Sequence, residues 1–100
     1  MLIKNLYNKN RPVISFEIFP PKKDSPVDTI YQTIESLKDL NPDFISVTYG
    51  AGGSSRAHTV EIANILKNKY KVETLAHLTC YNSTSIEIEN ILKQLKEQFF

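Results

Sequence analysis

Apolar and polar positions fall into three successive blocks along this chain, each with the same two-part form. After a short amphipathic opening, Val13–Phe19 is rich in β-branched and aromatic residues and stops at Pro20-Pro21, which cannot donate to a sheet ladder. The pattern predicts a strand. Ser25-Pro26 then reads as an N-cap followed by proline at the first helical position, and Val27, Ile30, Ile34, Leu37 and Leu40 recur at three- and four-residue spacing. That predicts an amphipathic helix, broken by Asn41-Pro42. In the second block Phe44–Tyr49 predicts a strand, Gly50–Ser55 a loop, and His58 to about Tyr70 a helix built on Ile62, Ala63, Ile65 and Leu66. In the third, Thr74–Thr79 predicts a strand and Thr84 and Glu87 have the spacing of a capping box. Ile88, Ile91, Leu92 and Leu95 then predict a helix with a buried stripe.

The three strands begin near Val13, Phe44 and Thr74, roughly 30 residues apart, which suits strand-helix units with crossovers and parallel pairing. The expected class is α/β, three βα units in a row. No repeat beyond that architecture, no low-complexity segment and no internal linker interrupts them. The last predicted helix reaches Phe99-Phe100, where a fourth strand would start, so the chain is expected to stop mid-fold.

Composition changes this picture little. With 41% apolar and 23% charged residues, the chain falls near the average of globular domains, which leaves disorder, collagen and coiled coil without support. Twelve basic residues against eleven acidic ones give a formal charge of +1, so no overall field would recruit nucleic acid or an anionic membrane. One cysteine, Cys80, cannot form an internal disulfide, and no Cys/His spacing suggests a metal site. A cytoplasmic setting fits. Neither a signal-peptide run nor a stretch of the roughly 18 to 20 apolar residues needed to cross a bilayer is present.

Alternation separates the faces of each predicted strand. Ser15, Glu17 and Phe19 share one face, opposite Ile14, Phe16 and Ile18. Ser46 and Thr48 lie opposite Ile45, Val47 and Tyr49, and Leu75, His77 and Thr79 lie opposite Thr74, Ala76 and Leu78. Glu17, Thr48 and His77 all fall toward the C-terminal ends, where parallel α/β folds place their ligand sites. A carboxylate, a hydroxyl and an imidazole are thus expected to converge. Taken singly, Glu17 is better explained by a solvated edge and His77 by a satisfied core histidine; three together reverse this and favour a site. A glutamate between Phe16 and Ile18 is costly to bury unless paired or protonated, and a carboxyl held in its acid form is what a general acid needs.

Other features carry less. The loop Gly50-Ala51-Gly52-Gly53-Ser54-Ser55 could hold an anion on its backbone N–H groups, or be a tight turn. As a dinucleotide fingerprint it lacks the third glycine, and Glu73 opens the next strand instead of closing it, so no Rossmann domain is assigned. Pro20-Pro21-Lys22-Lys23 is either a rigid solvated turn or part of the wall of a site. Cys80 has no evident base beside it and is assigned to packing.

Three segments, Ser15-Phe16-Glu17-Ile18-Phe19-Pro20-Pro21-Lys22, Ser46-Val47-Thr48-Tyr49-Gly50-Ala51-Gly52-Gly53-Ser54 and Ala76-His77-Leu78-Thr79-Cys80, resemble the first three strand-end motifs of methylenetetrahydrofolate reductases. They occur in that family's order and spacing over nearly the whole chain. The resemblance implies a (β/α)8 TIM barrel, of which residues 1–100 would be the N-terminal part, binding FAD at its strand C-termini. The implied reaction is reduction of 5,10-methylenetetrahydrofolate to 5-methyltetrahydrofolate. It also implies Glu17 as catalytic acid, Thr48 where the nicotinamide or the folate meets the flavin, and Tyr49, Ala51 and His77 as flavin contacts. The family's Arg-Gly-Asp segment after the fourth strand would lie beyond Phe100. NADH, NADPH or a partner protein remain open as electron donor, as does a homo-oligomeric state. Two alternatives stay open as well: a flavin-free barrel enzyme of lyase or aldolase type, and a fragment without catalysis of its own.

Overall fold

A computed structural model describes residues 2–21, 28–49 and 56–98. A 3-10 helix over Ile3–Asn8 is followed by β1 (Ser15–Ile18), α1 (Asp28–Lys38), β2 (Phe44–Val47), α2 (Arg56–Asn68), β3 (Thr74–Ala76) and α3 (Ser85–Glu97). The strands form one parallel sheet in the order β1-β2-β3. The register aligns Glu17 with Ser46 and Ser46 with Leu75, and sets Ile18 beside Val47 and Val47 beside Ala76.

The two faces of the sheet differ sharply. Ile18, Ile45 and Val47 point to the helices and meet Ile30 and Ile34 of α1 and Ile62, Ala63 and Leu66 of α2, with Phe16 and Ala76 packed at the margin. Six of these side chains, Ile34, Ile45, Val47, Ile62, Ala63 and Leu66, are fully buried, and each of the larger ones is worth roughly 1.5 to 3 kcal/mol relative to exposure. On the other face Ser15, Glu17, Phe19 and Leu75 are exposed. β2 alone is buried along its whole length, because it has a strand on each side.

Several predicted boundaries move inward. β1 covers Ser15–Ile18 rather than Val13–Phe19, since Pro20 has no N–H to offer and Ile14 bonds outside the ladder. β3 ends at Ala76, three residues before Thr79, although the His77 N–H still donates to Val47 O at 2.9 Å. α1 ends at Lys38, so Leu40 falls outside the buried stripe and is exposed. There Leu40 N donates to Leu37 O and Asn41 N to Lys38 O, and Asn41 turns the chain through φ 52°, a left-handed conformation that asparagine tolerates ahead of Pro42. Lys71 makes the equivalent turn after α2 with φ 58°. The predicted stripe of α3 is also narrower than expected. Leu95 is buried and Ile88 and Ile91 are half-buried, but Leu92 is 51% exposed, although α3 packs against α2. The capping box formed by Thr84 and Glu87 is present as read. The Ser25-Pro26 cap, Lys22-Lys23 and the glycine loop 50–55 lie outside the described residues.

The N-terminal ends of the strands are pegged by one ion pair. Arg11 donates from both Nη atoms to the Asp43 carboxylate, which also accepts the Ile14 backbone N–H at 2.9 Å. Asp43 N returns a bond to Ile14 O at 2.7 Å. The Arg11 guanidinium first, and the Ile14 N–H second, hold the Asp43 carboxyl well below the usual carboxylate range.

Candidate functional site

On the exposed face, at the opposite ends of the strands from that ion pair, β1 presents Glu17, β2 presents Ser46, and the chain leaving β3 presents His77. All three follow from strand alternation combined with parallel register. Ser46 Oγ donates to Glu17 Oε1 at 3.2 Å. His77 Nε2 stands 3.6 Å from the same oxygen. The first is a hydrogen bond; the second is too long for one and is a close electrostatic contact that becomes an ion pair only when the imidazole is protonated.

Glu17 is half exposed rather than buried. Its side chain is 49% exposed and that of His77 39%, because the residues flanking Glu17 send their own side chains to the helices and leave the carboxylate on the open face. The pairing expected of it is nevertheless present.

Thr48 follows β2 and is buried, with its N–H donating to Ile18 O at 3.1 Å. Its carbonyl accepts from Thr59 Oγ1 at 2.7 Å, which ties the start of α2 to the end of β2. The Thr48 hydroxyl makes no hydrogen bond among the described residues. A buried hydroxyl at a strand C-terminus without such a partner suits a polar ligand edge. Tyr49 is buried as well, and Ala51 lies outside the described residues. The structure therefore joins Glu17 to His77, with Thr48 on the neighbouring strand end but not bonded to them. Cys80, assigned to packing, is free and exposed, since it lies four residues past the end of β3.

Two contributors were missed from the sequence. Ser46 was placed on the polar face by alternation, yet nothing in the sequence shows which residue of β1 it meets. Thr59 reads simply as a polar helix position; its bond to Thr48 depends on how α2 docks.

Beside the polar groups, Phe19 and Leu75 expose apolar surface on the same face. A mixed surface of this kind fits a flat heteroaromatic ring with polar edges, such as a flavin.

The family model described as methylenetetrahydrofolate reductase matches residues 2–98. The chain is 41% identical over 86 residues to the probable methylenetetrahydrofolate reductase (NADH) of Oryza sativa subsp. japonica, covering 86% of this chain and 14% of that protein. It is 36% identical over 94 residues to methylenetetrahydrofolate reductase (NADH) 1 of Arabidopsis thaliana, covering 94% of this chain and 16% of that protein. To the 5,10-methylenetetrahydrofolate reductase of Escherichia coli (strain K12) it is 38% identical over 80 residues, covering 80% of this chain and 27% of that protein. The chain thus spans between 14% and 27% of the length of these relatives. Matched from residue 2 to residue 98, and folded as parallel βα units that gather Glu17, Ser46 and His77, it belongs to the methylenetetrahydrofolate reductase family.

Proposed function

We propose that this chain supplies the acid-bearing first part of a flavin-dependent methylenetetrahydrofolate reductase. In this reading residues 1–100 form the first three units of a single (β/α)8 barrel, and the whole enzyme reduces 5,10-methylenetetrahydrofolate to 5-methyltetrahydrofolate in the cytoplasm. The observation that carries the reading is the position of Glu17: an accessible carboxyl at a strand C-terminus, hydrogen-bonded by Ser46 and faced by His77. No helix among the described residues is long and apolar enough to cross a membrane.

Glu17 acts as general acid. It gives its proton to a ring nitrogen of the folate, the five-membered ring opens, and the resulting iminium carbon becomes electrophilic enough to accept hydride. FAD, when bound, supplies the hydride chemistry. Thr48, Tyr49, Ala51 and His77 are the residues of this chain that would hold it, with the Thr48 hydroxyl meeting a polar edge and Leu75 and Phe19 offering apolar surface. The sheet's contribution is orientation: a proton donor on a strand is held more firmly than one on a loop, which keeps the reacting atoms in line. The relatives named for NADH favour a nicotinamide donor, NADH or NADPH.

The test uses an enzyme of full family length that carries this sequence as its N-terminal part. It is expected to purify yellow, with a flavin absorption band, and to oxidise NADH or NADPH at the expense of methylenetetrahydrofolate. A colourless protein without that turnover would overturn the reading and point to flavin-free barrel chemistry of lyase or aldolase type.

A further inference from the structure

The hydroxyl at the centre of the sheet has no part in the chemistry so far. Ser46 lies on β2 between Ile45 and Val47, with strands paired on both sides, and is only 7% exposed. A buried hydroxyl needs a partner. Among the described residues Ser46 Oγ has one, Oε1 of Glu17 at 3.2 Å. His77 approaches the same oxygen, at 3.6 Å, while Glu17 Oε2 makes no hydrogen bond among the described residues.

We infer that Ser46 is a positioning residue that determines which oxygen of Glu17 carries the acid proton. The inference rests on Glu17 being the general acid. In a neutral carboxyl one oxygen is a hydroxyl and the other an acceptor. A donor fixed at Oε1 stabilises the form in which Oε1 is the acceptor, so the proton resides on Oε2, the oxygen left free to meet substrate. During transfer the Oε2–H bond breaks, an N–H bond forms on the folate nitrogen, and the electron pair stays on the carboxylate. Its charge spreads onto Oε1, where the Ser46 hydroxyl becomes a charge-assisted donor and holds it more strongly than before. Ser46 thereby orients the acid and also favours proton release over recapture. It can do so reproducibly because serine has a single torsion between backbone and oxygen, and both ladders of β2 fix that backbone.

The experiment compares Ser46→Ala, Ser46→Thr, Glu17→Gln and the double variant Glu17→Gln/Ser46→Ala in the full-length holoenzyme. Flavin reduction by the donor and flavin reoxidation by methylenetetrahydrofolate are followed separately in single turnovers. Losing a hydrogen bond to a group that becomes charged should slow the folate half-reaction by roughly tenfold in Ser46→Ala, with donor-driven reduction unaffected. Ser46→Thr, which retains the hydroxyl, should recover most of that rate. On the Glu17→Gln background Ser46→Ala should cost nothing more, since no acid is left to position. The inference is overturned if Ser46→Ala reoxidises within about twofold of the parent, if both half-reactions slow alike, or if the losses in the double variant multiply. If Glu17→Gln itself leaves reoxidation intact, the reading of Glu17 fails; if Glu17→Gln abolishes it while Ser46→Ala does not, only the role of Ser46 fails.

Discussion

His77 Nε2 lies 3.6 Å from Glu17 Oε1 across the width of β2, so residues from the first and third strands meet over the hydroxyl of the second. Both side chains are partly open to water, which screens their attraction to about 1 kcal/mol or less even when the imidazole is charged. The contact is therefore weak as a stabiliser of the fold.

Glu17→Gln in the full-length enzyme should retain fold, bound flavin and reduction by the donor, because glutamine is nearly isosteric and can still meet Ser46. The folate half-reaction should fall by on the order of 10² to 10⁴, and toward the upper end, since the acid also creates the electrophile. Stopped-flow bleaching and recovery of the oxidised flavin band measure the two steps. Equal slowing of both would indicate damaged flavin binding instead.

His77→Ala should weaken flavin retention, by roughly three- to tenfold if one hydrogen bond is lost. Thr48→Ala should reduce turnover more than His77→Ala does. Flavin titration of the apoprotein and steady-state rates separate the two effects. An unchanged flavin affinity in His77→Ala would remove that strand end from the cofactor site.

Asp43→Asn should destabilise the protein at neutral pH and do so less as the solution is acidified. The Asp43 carboxyl is held below its unfolded value, so its contribution is complete above a pH of about 3.9, the ordinary aspartate value, and disappears as pH falls through the folded one. Melting temperatures of parent and variant should converge at low pH. A gap independent of pH would mean that the loss comes from geometry rather than from charge.

The 100-residue chain produced alone should aggregate and lack activity. The outer edges of β1 and β3 are unpaired among the described residues, and Ile14, Phe19, Leu75 and Leu92 expose apolar surface. Size-exclusion chromatography and dye binding test this. A monodisperse, cooperatively melting and catalytically active chain would contradict it.

Element identity and order were legible in the sequence because each βα unit is locally consistent. Proline after β1, the Thr84–Glu87 cap and the isoleucine spacing of α1 each point to one answer. Glu17 and His77 could be placed at strand ends by alternation alone. Ser46 could not be recognised as the partner of Glu17, since that depends on inter-strand register, which no short segment encodes. The exposure of Glu17 is left open by the sequence, between a solvated edge and a paired buried position, because alternation does not show that Phe16 and Ile18 both turn to the helices. Leu40 and Leu92 keep the helical period and still lie outside the core; for Leu40 this is because α1 ends at Lys38 and Asn41 turns the chain.

Asp43 pegs the chain to Arg11 and Ile14 just before β2 begins, and Ser46 meets Glu17 three residues later on the same strand, a rise of ~10 Å. A slip of β2 by one residue against β1 would pull Asp43 off its peg and swing Ser46 round to the helix side in a single movement. A misaligned molecule would thus lose the Asp43 anchorage and the Ser46–Glu17 hydrogen bond together. One alignment of β2 against β1 holds both contacts, so a stably folded population that keeps one and lacks the other has little room to accumulate.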